Sequence, residues 1–97
     1  MAILPRKYFR DRRNLNLMRE AASKPYKVIG KNIKHFRKQR DMSQQDLANL
    51  CNTVDRSKIS DMENAKEDFM LSTLIEVAFA LELPLEVLVA ENANVDY

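Results

Sequence analysis

The sequence predicts an all-α domain of five short helices preceded by a basic arm or an extra helix. Three observations carry that prediction. The 97 residues include one glycine and three prolines, too few breakers for a sheet built from hairpins. From Ile29 onward, apolar residues recur at helical spacing. Ser43, Asp55 and Ser72, residue types suited to helix N-caps, stand just ahead of three such stretches.

Taken in order, residues 1–25 form a basic leader whose densest stretch is "RKYFRDRR". Phe9, Leu15, Met18 and Ala22 lie at near-helical spacing, which predicts a helix over residues 11–22. Lys24-Pro25 is expected to end it, because the residue before a proline avoids the α region. Helix one is expected over residues 28–40, with Ile29, Ile33, Phe36 and Arg40 on one face. Ser43 caps helix two, and Asp46 three residues later completes a capping box with Asp in place of Glu. Leu47, Leu50 and Cys51 form its apolar stripe.

Asn52, Thr53 and Val54 make the next turn, where Asn tolerates the left-handed conformation. Asp55 caps helix three, residues 56–63, whose only apolar positions are Ile59 and Met62. That helix buries a narrow stripe and leaves most of its surface wet. After a polar loop, Ser72 caps helix four, "TLIEVAFAL", with Leu74, Ile75, Ala78, Phe79 and Leu81 expected inward. Leu83-Pro84 breaks it, and Pro84 suits the first position of helix five, "LEVLVA". Residues 91–97 are expected to fray as an acidic tail. The domain organisation is therefore a leader (1–25), a helical core (26–90) and a tail (91–97).

Composition narrows the function. The net charge of +2 is the sum of unequal halves: residues 1–40 carry 13 Lys or Arg and two acids, residues 41–97 three and 12. A basic end of this strength points to a polyanionic partner. One cysteine, Cys51, and one histidine, His35, leave no set of metal ligands and no internal disulfide. There is no Gly-rich phosphate loop and no nucleophile–base arrangement, so an enzyme is not expected. No cofactor is expected either. Met1 to Leu4 is too short for a secretory h-region, and no apolar run is long enough to span a bilayer. A cytoplasmic protein is expected.

"SQQDLA", "DRSKISDMEN" and "LSTLIEVAFALELPLEVL", taken together, resemble the DNA-binding domain of the phage-repressor/Cro (Xre-like) helix-turn-helix family. The likeness runs over about residues 26–90, and "DRSKIS" also resembles the controller proteins of restriction–modification systems. It implies a lambda-repressor-like fold in which helices two and three form the helix-turn-helix. Two departures stand out. The stretch between Ala48 and Ile59 is one residue longer than usual, and the glycines common after helices two and three are replaced, the second by Ala65. By the family pattern Gln44, beside Ser43, contacts a phosphate, as do Asn64 and Lys66 after helix three. The pattern also pairs Arg37 with Glu63 as a structural ion pair, with Arg37 a further phosphate contact.

A helix in the major groove reads base edges with its N-terminal side chains. Arg56, Ser57, Lys58 and Asp61 hold that position on helix three. Arg56 suits guanine, at ~1–3 kcal/mol of discrimination; Asp61 suits cytosine N4 or the orientation of Arg56. Arg6, Lys7, Arg10, Arg12 and Arg13 form a candidate DNA arm; the leader's alternative role is a dimerisation helix. The expected function is a sequence-specific regulator of double-stranded DNA, homodimeric on a palindromic operator, with Leu85, Leu88 and Val89 as candidate dimer positions. The alternative is an antitoxin-type module that binds a partner protein, a toxin or a polymerase being the partner types considered.

Overall fold

The computed structural model describes residues 15–93, with side chains from residue 23 onward. Five helices follow one another: α1 (Leu15–Gln39), α2 (Gln44–Asn49), α3 (Arg56–Glu63), α4 (Leu71–Ala80) and α5 (Leu85–Val89). No strand occurs among the described residues. α1 packs against α3 and α5, α2 against α3, and α4 against α5.

The first helix is longer than expected. It runs through Pro25 without the predicted break and so joins the end of the leader to the core. A proline inside a helix removes one donor and frees one carbonyl. Pro25 itself is exposed. Beyond it, Ile29, Ile33 and Phe36 are buried in the core and Arg40 lies over the Phe36 ring at 5.7 Å. His35 is half-buried and meets Phe36 edge-on at 4.9 Å; its Nε2 has no hydrogen-bond partner. Asn32 is almost fully buried. Its Nδ2 donates to the carbonyls of Leu88 and Ala90, each at 2.8 Å, and this holds the end of α5 against α1.

Gly30 sits where α1 crosses the end of α3. A Cβ there would lie 2.7 Å from the Glu63 carbonyl oxygen and would also overlap that of Met62. The sole glycine thus lets two helices approach closely; it closes no turn. The helix ends are made without glycine. Asp41, Ala65 and Glu82 all have positive φ, at 55°, 52° and 58°. After α3, the Ala65 amide donates to the Met62 carbonyl at 3.3 Å and the Lys66 amide to that of Asp61 at 3.0 Å. That pairing is a Schellman turn, and it recurs after α1 at Asp41–Met42 and after α4 at Glu82–Leu83.

α2 and α3 begin as the sequence predicts. Ser43 and Asp46 form a reciprocal capping box, and the Asp55 carboxylate accepts from the Lys58 amide at 2.8 Å. Leu47 and Ala48 from α2, Val54 from the turn, and Ile59 and Met62 from α3 enter one core. Leu50 does not join the α2 stripe; the helix ends at Asn49 and Leu50 is exposed.

α4 differs most. It starts at Leu71 behind Met70, with no side-chain cap, so Ser72 is inside the helix and not its cap. Phe69, one residue earlier, is docked edge-on against Tyr26 of α1 at 5.0 Å, which anchors the chain ahead of the expected start. Leu74, Val77, Ala78 and Leu81 are buried, whereas Ile75 and Phe79, expected inward, are exposed. A helix apolar nearly all round gives periodicity no unique inner face. In α5, Val87 and Leu88 are buried. Leu88, a candidate dimer position, is therefore part of the protomer's own core; Leu85 is half-buried against that core and Val89 is exposed. Nor does the tail fray at residue 91: Glu91 meets Lys24 at 3.2 Å and Ala93 is buried.

Candidate nucleic-acid interface

α3 is anchored by one side and offers the other. Ile59 and Met62 are almost wholly buried, while Arg56 and Ser57 in the first turn are exposed. Lys58, Ser60 and Asp61 are half-buried. Among the described residues, the ion pairs are Lys24–Glu91 and Arg37–Glu63, so Arg56, Lys58 and Lys66 carry uncommitted charges. Asp61 does not bridge to Arg56.

Beside this turn, an open groove of about 620 Å³ lies between the end of α2 and the start of α3, with Gln45, Asn49, Asn52, Thr53, Arg56 and Ser57 in its lining. Gln45 Nε2 donates to Asn49 Oδ1 at 2.9 Å. Neither was singled out from sequence, although their i, i+4 spacing on the outer face of α2 carried the signal.

Behind the turn is a polar cluster tying three helices together. Arg37 Nε donates to Glu63 Oε2 at 2.7 Å and Nη2 to Oε1 at 3.0 Å. Nη1 donates to the Met42 carbonyl at 2.8 Å. Both side chains are nearly buried, and the Glu63 carboxylate holds the guanidinium above its ordinary pKa. The expected phosphate contact by Arg37 is thereby corrected: a bidentate pair turned into the protein leaves no fork for a ligand. Gln44 Nε2 also donates to Glu63 Oε1, at 3.2 Å, so this side chain braces the start of α2 on the end of α3.

The remaining flanking residues stand around α3. Ser43 is exposed, its hydroxyl accepting from the Asp46 amide at 2.9 Å. Its amide and hydroxyl hold the Asp46 carboxyl below the ordinary range. Asn64 caps the C-terminus of α3, with Nδ2 donating to the Ser60 carbonyl at 2.9 Å, and Lys66 is exposed. Arg6, Lys7, Arg10, Arg12 and Arg13 lie outside the described residues.

Glu76 is engaged away from its own helix. Its carboxylate reaches from α4 to the turn between α2 and α3. Oε1 accepts from the amides of Asn52 and Thr53, the latter at 2.8 Å, and Oε2 from the Thr53 hydroxyl at 2.6 Å. These donors hold the Glu76 carboxyl below its ordinary range, the Thr53 hydroxyl contributing most. The half-buried Cys51 thiol next to the turn is pushed up by burial and by the Glu76 charge. A turn without glycine is thus fixed by a carboxylate from another helix.

Two short capped helices, one braced from behind and the next offering an uncommitted basic first turn, define the class of a helix-turn-helix DNA-binding domain. The family model described as helix-turn-helix matches residues 33–88, more than half the chain. The chain belongs to the phage-repressor/Cro-like (Xre-like) helix-turn-helix family and is a DNA-binding regulator of that class. No curated protein and no solved structure matches it. No helix among the described residues is long and apolar enough to cross a membrane.

Proposed function

We propose that the protein is a sequence-specific transcriptional regulator, homodimeric on a palindromic operator, with α3 in the major groove of double-stranded DNA. One observation carries the reading: the first turn of α3 presents Arg56 and Ser57 to solvent and Lys58 beside them, with no ion pair to either cation among the described residues. An exposed, unpaired arginine at a helix start has the geometry to donate two parallel bonds to guanine O6 and N7. Ser57 supplies a short adaptable contact, Lys58 a guanine or phosphate contact, and Asp61 an acceptor for cytosine N4. Ser43, Gln44, Asn64 and Lys66 flank α3 and set its register on the phosphates. Arg6, Lys7, Arg10, Arg12 and Arg13 extend the footprint as a basic arm. The protein works in the cytoplasm by binding alone, without catalysis or cofactor.

Fluorescence anisotropy of the full chain on its preferred duplex and on single-base variants tests this. Arg56→Ala is expected to cost ~1–3 kcal/mol and to relax preference at one position. Lys66→Ala is expected to weaken all duplexes alike and to lower the salt slope by about one. An Arg56→Ala loss that is the same on every duplex removes base readout from α3.

A further inference from the structure

We infer that the apolar face of Leu71, Ile75 and Phe79, with the exposed N-cap residue Met70 at the start of the helix, is the surface on which a second copy of this chain docks, α4 against α4 about a two-fold axis near Ile75. The inference rests on the dimeric reading above and gives it an interface. Its starting point is α4, "LSTLIEVAFA". The protomer's core takes Leu74, Val77, Ala78 and Leu81, yet Met70 is 71% exposed, Leu71 62%, Ile75 49% and Phe79 84%. Leu71, Ile75 and Phe79 follow at i, i+4, i+8 and so share one face. A helix with apolar residues on two sides is normally covered on both.

The size and symmetry of the stripe favour a second copy. These four side chains expose roughly 500 Å², at the upper end for a patch on a monomer. Two copies would bury roughly 1,000 Å² in total, the lower bound of a specific interface. In an isologous contact each residue meets residues of its own patch. Leu71 and Phe79 are equally spaced about Ile75, so antiparallel helices set Phe79 of one copy on Leu71 of the other, with Ile75 on Ile75 at the axis. A charge near the axis would face its own like. α4 has one charged residue, Glu76, and its carboxylate is turned onto Asn52 and Thr53. The same contact joins the dimer helix to the turn that enters α3, so the axis fixes where the two reading heads stand.

Sedimentation of the full chain without DNA tests the interface. The expected result is a monomer–dimer equilibrium in the micromolar range, ~1–100 µM. Phe79→Asp and Ile75→Asp should each raise the dissociation constant by ~30-fold or more, as for a hot-spot residue, with helicity by circular dichroism unchanged. A gentler probe is Ile75→Cys in a Cys51→Ser background, which should oxidise to a disulfide dimer far faster than a control cysteine at the exposed Lys31. A wild type that stays monomeric overturns the proposal and gives the stripe another occupant, a different protein or another segment of the chain. A dimer indifferent to Phe79→Asp and Ile75→Asp, or cross-linking no faster at Ile75 than at Lys31, overturns it as well. A chain that dimerises through Phe79 yet selects no DNA sequence keeps this interface and loses the operator reading.

Discussion

Replacing Arg37 with Met tests whether the pair with Glu63 locks α1, α2 and α3 together. The exchange removes three hydrogen bonds, two to Glu63 and one to the Met42 carbonyl. It leaves a nearly buried carboxylate with Gln44 as its remaining side-chain partner, at 3.2 Å. Breaking one side of a buried pair costs ~3–5 kcal/mol, because the survivor stays desolvated without compensation. A domain of this size is stable by roughly 5–15 kcal/mol, so the loss is about a fifth of the whole or more. Each 1 kcal/mol moves Tm by about 4–8 °C at this length, and a fall of at least about 12 °C is expected. Replacing both partners by Met removes the orphaned charge with its cause, and the double variant should recover most of the loss. Urea unfolding followed by circular dichroism yields the four free energies of the cycle. Single exchanges costing under about 1 kcal/mol, or losses that simply add in the double variant, would refute the reasoning.

Other positions give independent tests. Gly30→Ala should destabilise despite the ~1 kcal/mol that alanine gains in a helix, because overlap with two backbone carbonyls costs ~1–3 kcal/mol and displaces α3; a rise in Tm would show that the crossing can relax. Ala65→Gly should stabilise by ~0.5–1 kcal/mol, since φ of 52° is strained for alanine and free for glycine; thermal melting decides the sign. Glu76→Gln should flatten the acid limb of stability. The folded-state pKa of Glu76 lies below its ordinary 4.5, so its contribution is present above that value and is lost as pH falls through the lower one. Asp46, depressed by its Ser43 cap, keeps its share in the variant, and parallel acid limbs in wild type and variant would contradict the role of Glu76.

What could be read from the chain was local. Ser43 with Asp46, and Asp55 ahead of "RSKISDME", state two helix starts in a few consecutive residues, and the structure begins both helices there. The core positions of α1 and α3 followed from strong contrast between apolar and charged neighbours. Where contrast is weak, reading failed. α4 is apolar on most of its circumference, so Ile75 and Phe79 were placed inside although the core buries Leu74, Val77 and Ala78 from that helix and Leu81 from its C-cap. Pro25 reads locally as a stop, but its exposed position lets α1 pass through it. Glu76 on Asn52 and Thr53, and Gly30 under the end of α3, join residues more than twenty apart. No spacing rule reaches such a distance; they depend on the fold being formed. The exposed basic turn of α3 was legible because its residues are adjacent, whereas the bracing by Gln44 and Glu63 needed three helices in place.

The most direct test of the account is selection of duplexes bound by the full chain from a random pool. The account predicts a two-fold symmetric winner, with half-sites about one helical turn, ~34 Å, apart and affinity falling steeply with salt. It predicts that Arg56→Ala selects a sequence relaxed at the same position in each half. A pool that stays unenriched, with weak and purely salt-driven binding, would contradict it.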